Sequence, residues 1–229
     1  MGLKQKHTLH SIVIGFVMLT LLLVGCRSKD EPLLETGTSL YPDDVGRELI
    51  YQVDSIRIDR FKSQTDTFHY FLRELLESKY IDNAGKPTNR IVLYQSKSDT
   101  GPWNIRSVIT SQKTVYELFR TEDNQSIIKL VFPVSANKQW DRNKYNTQGP
   151  DYATYINIYE PKKVGKFSYD STVTVLIQDD TNQIERRYRS EIWGKNIGML
   201  YKQTDTVDYQ PSQYPYGILY RMTLINHKP

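Results

Sequence analysis

The sequence has very little cysteine and histidine, and this shortage excludes several kinds of site. Its one cysteine is Cys26, and two of its four histidines, His7 and His10, precede that residue. Structural zinc sites are built mainly from clustered cysteine and histidine, and a disulfide needs two cysteines. We therefore predict a domain that folds on an ordinary hydrophobic core, without disulfides and without a zinc site.

Catalytic and cofactor motifs are equally scarce. His69 is the only interior histidine after Cys26, and its aromatic neighbours favour a packed or surface position over a catalytic base. Gly194 and Gly198 match neither a dinucleotide-binding fingerprint nor a P-loop. Residues 179–182 (Asp-Asp-Thr-Asn) lack the glycine and distal glutamate of an EF-hand, which favours a hairpin turn. The sequence predicts no cofactor, no metal and no catalytic residue.

The charge balance gives no indication of a nucleic-acid partner. The chain carries 30 lysines and arginines against 26 acidic residues, a formal charge of +4, and the basic residues are scattered. Nucleic-acid binding proteins usually concentrate positive charge on one face or along one helix. Nucleic acid is therefore not among the predicted partners.

The first 26 residues have the pattern of an export signal. Lys4 and Lys6 precede an apolar run from Ile12 to Val24, which is too short to span a bilayer comfortably. The order Leu-Val-Gly-Cys over residues 23–26 resembles the lipobox of bacterial lipoproteins. That resemblance implies cleavage before Cys26, lipidation of Cys26, palmitate included, and attachment to a membrane. We predict a signal peptide (1–25), a flexible polar tether (26–39) and a single β-rich domain (40–229).

Alternating apolar residues dominate the chain beyond the tether. Leu49, Tyr51 and Val53 alternate with polar residues, residues 127–134 form a denser apolar run, and turn signals separate about ten such segments. This pattern predicts a mainly β fold, with antiparallel strands in a sandwich or a strongly curved sheet or half-barrel and at most one or two short helices. The 17 tyrosines are spread evenly, which favours cross-strand packing over a single sugar- or lipid-binding face.

Residues 68–80 fit two structures. Phe68, Phe71, Leu72, Leu75 and Leu76 fall at helical spacing, and leucine and glutamate favour helices. The β pattern on both sides and the turn signal at residues 83–85 favour a strand instead. Periodicity alone leaves the choice open.

One polar, aromatic segment is the best candidate for a ligand loop. It offers flat apolar faces and directional hydrogen-bonding groups, which suit a carbohydrate or a polar peptide. The alternative is that its tryptophan closes one end of the core, as Trp103 and Trp193 are expected to do. The candidate ligand residues are Trp140, Asp141, Arg142, Asn143, Tyr145 and Asn146.

Two weaker patterns concern carboxylates and serine or threonine hydroxyls. Glu160, Glu185 and Glu191 lie in strand-rich regions and are candidates for the carboxylate pair of a glycoside hydrolase, a pattern of low specificity. Three tripeptides resemble the Asp-Ser/Thr-apolar sequence at which Bacteroidota glycosylate periplasmic proteins. The hydroxyls that this resemblance implies are Ser55, Ser171 and Thr206.

Other short motifs resemble lipoproteins of Bacteroidota. Residues 28–31 (Ser-Lys-Asp-Glu) resemble their surface-export signal, and the body resembles uncharacterised members at residues 41–42, 51–56, 130–133 and 198–201. The resemblance implies a β-rich lipoprotein domain in which residues 71–76 are extended. It supplies no activity and no site residues.

These observations lead to three functional hypotheses. The first is a non-catalytic lipoprotein, anchored to the outer membrane on its periplasmic face or at the cell surface, that binds a glycan, a peptide or an envelope protein. The second is a carrier of lipids or lipoproteins with an apolar cavity, which is supported by fold-level analogy only. The third, and least supported, is a glycoside hydrolase that uses two carboxylates.

Overall fold

The computed structural model describes residues 35–229, and they form one antiparallel sheet. The predicted signal peptide, Cys26 and the tether as far as residue 34 lie outside the described residues. The mainly β prediction is confirmed, with twelve strands and one short 3₁₀ helix at Thr38–Leu40. The strands are β1 (Glu48–Asp59), β2 (Gln64–Ile81), β3 (Pro87–Ser96), β4 (Asn104–Lys113), β5 (Glu117–Glu122), β6 (Gln125–Val131), β7 (Gln139–Asp141), β8 (Tyr152–Val164), β9 (Phe167–Thr181), β10 (Glu185–Gly194), β11 (Gly198–Asp208) and β12 (Tyr216–Lys228).

The segment with helical spacing is part of a strand. All of residues 68–80 belong to β2, which pairs with β1 on one side and β3 on the other. Leu72, Glu74 and Leu76 alternate as buried residues, as a strand with one buried face requires. The helix-like spacing arises because Phe71 and Leu75, on the opposite face, are also apolar and partly covered.

The strand order is a continuous meander that closes on itself. It runs β6-β5-β4-β3-β2-β1-β12-β11-β10-β9-β8-β7, so the first and last strands of the domain pair with each other. The two edge strands then meet. The Ile128 amide of β6 donates a hydrogen bond to the Arg142 carbonyl just after β7, at 2.9 Å. Of the two predicted architectures, the strongly curved sheet is therefore the one formed.

Alternate strand ends define two ends of this curved sheet. The connections after β2, β4, β6, β8 and β10 lie at one end, which we call the closed end, together with the start of β1. The connections after β1, β3, β5, β7, β9 and β11 lie at the other, which we call the open end. This assignment follows because each strand is antiparallel to its neighbours.

The segment before β1 covers the closed end. Tyr41 is buried, its hydroxyl lies 2.8 Å from Ser111 Oγ of β4, and its ring packs against the buried Trp193 of β10. Residues 35–39 of the predicted tether also contact the domain, because the Val134 amide donates to the Thr36 carbonyl at 3.1 Å. No helix within residues 35–229 is long and apolar enough to cross a membrane.

Candidate functional site

An interior cavity of about 410 Å³ lies between the inward faces of the strands. Part of its wall is apolar and aromatic, and the rest carries both signs of charge. The register explains this composition, because Tyr51 of β1 faces Leu72 of β2, and Lys202 of β11 faces Met222 of β12. The apolar and aromatic lining comprises Tyr51, Leu72, Leu93, Ile109, Met199, Tyr220 and Met222, and the ionisable lining comprises Glu74, Arg106, Arg120, Glu122, Asp123, Lys129 and Lys202.

A buried carboxylate between two guanidinium groups forms one side of the cavity. Glu74 Oε1 accepts a hydrogen bond from Arg47 Nη2 at 3.3 Å, and Glu74 Oε2 accepts one from Arg120 Nη1 at 2.9 Å. Arg120 is only 5% exposed, and its Nε makes no hydrogen bond within residues 35–229. Glu122 Oε1 lies 3.5 Å from that nitrogen on a half-exposed side chain.

A second buried ion pair lies where β6 and β10 approach each other. Lys129 Nζ donates to Glu191 Oε1, and Glu191 is 1% exposed. Burial would raise the pKa of Glu191, but Lys129, Arg142 and Lys202 together lower it to about 2. Burial also lowers the pKa of Lys129 to about 8, with Arg142 and Lys202 contributing and Glu191 opposing. The Glu191 shift runs against the effect of burial and therefore reflects the positive charge around it, whereas burial is the largest cause of the Lys129 shift.

Two further cations line the cavity, Arg106 near the open end on β4 and Lys202 near the middle of β11. The guanidinium of Arg106 lies 6.0 Å from the Tyr70 ring centre, and Lys202 Nζ lies 5.9 Å from the Tyr220 ring centre. Burial raises the pKa of Tyr220, with the neighbouring Tyr70 adding to the effect and Arg106 opposing it. Arg106 and Tyr70 both lie near Tyr220, so these three residues form one group. We call this group, together with Lys202, the mouth. The turn between β5 and β6 also borders the cavity, through Asp123.

The structure divides the predicted ligand loop into buried and exposed parts. Trp140 is 8% exposed, its ring centre lies 4.7 Å from that of Tyr155, and its Nε1 donates to the Ile128 carbonyl at 3.3 Å. This is the buried position that the core-closing alternative describes. Arg142 is also buried and pairs with Asp151.

The polar residues of the same loop are hydrogen-bonded to the loop itself or to the start of β6. Asp141 Oδ1 accepts from the Asn143 amide at 2.9 Å, Asn143 Nδ2 donates to the Gly149 carbonyl, and Asn146 Nδ2 donates to the Ser126 carbonyl. Tyr145 is half exposed and packs edge-on against Phe119 at 5.9 Å. It lines an outer groove of about 610 Å³ together with the exposed Tyr116.

The three glutamates named for hydrolysis do not converge. Glu185 and Glu191 are six residues apart on β10, about 20 Å along an extended strand. Glu160 is exposed on β8. His69 is exposed and lies 2.5 Å from Asp54 Oδ1. Among residues 35–229, no three histidine or acidic side chains are close enough together to hold a metal ion.

The three candidate glycosylation sites lie within strands. Ser55 and Ser171 are partly covered on β1 and β9, whereas Thr206 is exposed on β11. The aspartate before Thr206 is fully buried, where it accepts hydrogen bonds from Arg186 and Arg221. Glycosylation at all three stays a prediction.

No family model and no curated protein matches this chain. One solved structure that resembles it is a putative lipoprotein from Parabacteroides distasonis, at 11% sequence identity and a TM-score of 0.40. The match covers 82% of this chain and 98% of that protein. A TM-score of this size is too low to establish a shared fold.

The charged cavity residues match no known sequence motif. The sequence nevertheless contains one sign of their position. Glu74 lies between Leu72 and Leu76 at a spacing of two, and Arg120 follows Leu118 at the same spacing. A charged residue at an inward position of an alternating strand is costly to bury unless it is paired or functional. That signal becomes visible only once the segment is known to be a strand.

Proposed function

We propose that this protein is a non-catalytic, lipid-anchored binding protein of the outer membrane, and that it holds a small amphipathic ligand in its interior cavity. The anchor rests on the lipobox-like residues that end at Cys26. The ligand rests on the cavity, which combines an apolar wall with a polar mouth. Its volume of about 410 Å³ is in the range typical of small-molecule sites.

The composition of the cavity is the observation that carries this proposal. Leu72, Met199 and Met222 provide the apolar contact that a ligand needs to leave water. The charged groups beside them make the site unsuitable for an acyl chain alone, because Glu74 and Arg120 are themselves buried. A ligand with one apolar part and one polar part fits this wall better than the lipid tail of the carrier hypothesis.

The carboxylates at and behind the cavity wall are poorly suited to hydrolysis. A glycoside hydrolase needs a general acid that keeps its proton near neutral pH. Lys129, Arg142 and Lys202 lower the pKa of Glu191 to about 2 against the effect of burial. Both oxygens of Glu74 accept hydrogen bonds from arginines. We therefore propose binding without catalysis.

The outer groove supports a second candidate function, the binding of a glycan or a polar peptide. Tyr116 and Tyr145 are both more than half exposed on its sides, and Gln112 and Glu117 add polar groups. Exposed aromatic faces beside hydrogen-bonding groups suit such ligands. This is the part of the predicted ligand loop that faces solvent.

A neutral fluorescent probe and one pair of variants test the cavity. N-phenylnaphthylamine becomes brighter in apolar sites, and we expect the protein to bind it. Ser107 lines the cavity on β4, so Ser107→Phe should fill the space and weaken binding about tenfold or more, a loss of about 1.4 kcal/mol. Val108, its exposed neighbour on the same strand, gives the matched control Val108→Phe, which should bind as the parent does.

Two results would contradict the cavity as the ligand site. One is a folded Ser107→Phe protein that binds the probe as tightly as the parent. The other is a parent protein that does not bind the probe at all. Circular dichroism of each variant separates a blocked cavity from a fold that has been lost.

A further inference from the structure

We propose that the cavity selects an anionic amphiphile, whose negative group binds at the mouth between Arg106 and Lys202 and above Arg120. The chemical class is a small molecule with an aromatic or short aliphatic body and one carboxylate, sulfate or sulfonate group. This inference rests on the proposed function and adds the charge of the ligand to it.

The first support is the state of the two mouth cations. Arg106 is exposed and Lys202 is partly covered, and both line the cavity. Neither has a carboxylate within 4.0 Å in the part of the chain that the structure describes. Their contacts are instead with the tyrosine rings of the mouth, and Arg106 also donates to Gln95 at 3.4 Å. Both cations are therefore available to a ligand.

The second support is a buried guanidinium that lines the same cavity. Arg120 donates from Nη1 to Glu74, whereas its Nε makes no hydrogen bond within residues 35–229 and faces Glu122 Oε1 at 3.5 Å. A buried donor without an acceptor is destabilising, and such groups in native proteins usually have a reason. An anionic oxygen in the cavity would give this Nε–H the hydrogen bond that Glu122, at 3.5 Å, does not make. Guanidinium groups suit planar, multi-oxygen anions particularly well.

The third support is the sign of the local electric field. The lining holds four cationic side chains and three acidic ones, so its formal charge is positive. Behind the lining, the opposite charges of Arg47 and Glu191 cancel. Burial should raise the pKa of Glu122, yet Arg120, Lys129 and Lys202 lower it. Glu191 responds in the same way. The same positive field that stabilises these carboxylates would stabilise the charged group of a ligand.

The tyrosines complete the site for an amphiphile. The partly covered Tyr70 and Tyr220 lie beside the mouth cations, with Leu72 and Met222 further inside. Aromatic rings present apolar faces to the body of a ligand, and their hydroxyls donate hydrogen bonds to an anion. The polar group and the apolar body of one molecule thus find separate, adjacent surfaces.

Two probes that differ by one anionic group test the selection. Anilinonaphthalene sulfonate has the aromatic frame of N-phenylnaphthylamine plus a sulfonate. We expect the parent to prefer the sulfonate probe, and Arg106→Gln/Lys202→Gln to weaken its binding about tenfold while leaving the neutral probe unaffected. Lys62→Gln/Lys97→Gln removes the same charge from two exposed positions and should leave both affinities at the parent value.

The outcomes separate this inference from the proposed function. If Ser107→Phe blocks both probes but the mouth variant binds both as the parent does, the cavity stands and its anion selectivity is wrong. A parent without preference for the sulfonate probe has the same meaning. If Ser107→Phe blocks neither probe, the cavity itself is not the site and both proposals fail. Loss of the parent's preference at high salt would agree with a charge effect.

Discussion

The ion pair between Lys129 and Glu191 shows how single buried charges are held in this interior. Neither group contacts water freely, and a buried pair often gains less from its attraction than it loses in hydration. Such a pair is therefore weak support for stability as a whole. Removing only one of the two partners is strongly destabilising, because the remaining charge stays buried without a partner.

The pKa values of the pair give a definite dependence of stability on pH. The pKa of Glu191 is about 2 in the folded protein and near 4.5 in the unfolded chain. The stabilisation that the ionised Glu191 provides is therefore full above pH 4.5 and is lost as the pH falls toward 2. The pKa of Lys129 is about 8 in the folded protein and near 10.5 in the unfolded chain. The unfolded chain therefore binds more protons between these values, and Lys129 makes stability rise over that range.

The residue-scale prediction is that Glu191→Gln destabilises the protein by about 3 to 5 kcal/mol near neutral pH, because Lys129 is left buried and unpaired. The acid loss of stability between pH 4.5 and 2 should also flatten. Urea unfolding at several pH values measures both effects. Lys129→Met/Glu191→Leu should regain most of the lost stability, and a double variant as unstable as Glu191→Gln would contradict this account.

Strands can be predicted from the sequence where one of their faces is apolar and the other polar. The alternation at Leu49, Tyr51 and Val53 is the pattern of β1. Residues 68–80 were ambiguous because both faces of β2 carry apolar side chains, and only pairing with β1 and β3 decides the matter. The sequence predicts residues 35–39 as part of a flexible tether, whereas in the structure they contact the domain. Their polar composition gives no sign of backbone contacts such as that between Thr36 and Val134.

One tyrosine adds two hydrogen bonds beside the seam between the edge strands β6 and β7. Tyr155 of β8 is fully buried, and its hydroxyl accepts from the Val131 amide at 2.9 Å and donates to the Val131 carbonyl at 2.8 Å. It therefore satisfies two backbone groups of β6, an edge strand with one pairing partner. Unpaired edge groups are otherwise open to pairing with other chains.

The element-scale prediction is that Tyr155→Phe loosens this seam. Two buried backbone groups lose their partner, which should cost about 1 to 3 kcal/mol in the free energy of unfolding. Hydrogen exchange should speed up most at the Val131 amide. Tyr159, on the same strand, makes only a 3.4 Å bond to the Glu35 carbonyl at the surface, so Tyr159→Phe is the matched control. Equal effects of the two changes would show that the seam does not depend on Tyr155.

At the scale of the whole molecule, the sequence indicates the class of the fold but not its closure. Local patterns locate strands, whereas the pairing of β1 with β12 joins residues at opposite ends of the domain. The cavity follows from that closure, because Arg106 and Lys202 come from strands nearly a hundred residues apart in the chain. No spacing rule for a linear motif connects them. The sequence leaves the burial of Trp140 as one of two alternatives, and in the structure Trp140 is buried where β7 meets β6.

The predicted location of the molecule rests on residues before this domain. Residues 23–26 resemble a lipobox, which implies lipidation of Cys26, a residue outside the described range. One acyl chain gives only marginal membrane binding, so stable anchoring requires the multiple acylation that the resemblance implies. We predict that Cys26→Ser yields an uncleaved or soluble species, whereas Lys62→Gln, an exposed change within the domain, fractionates with membranes like the parent. Immunoblotting of membrane and soluble fractions measures this. A Cys26→Ser protein of mature size that remains with the membranes would show that something other than this cysteine anchors the protein, and the lipoprotein part of the proposal would fail while the cavity remained to be judged by its own probes.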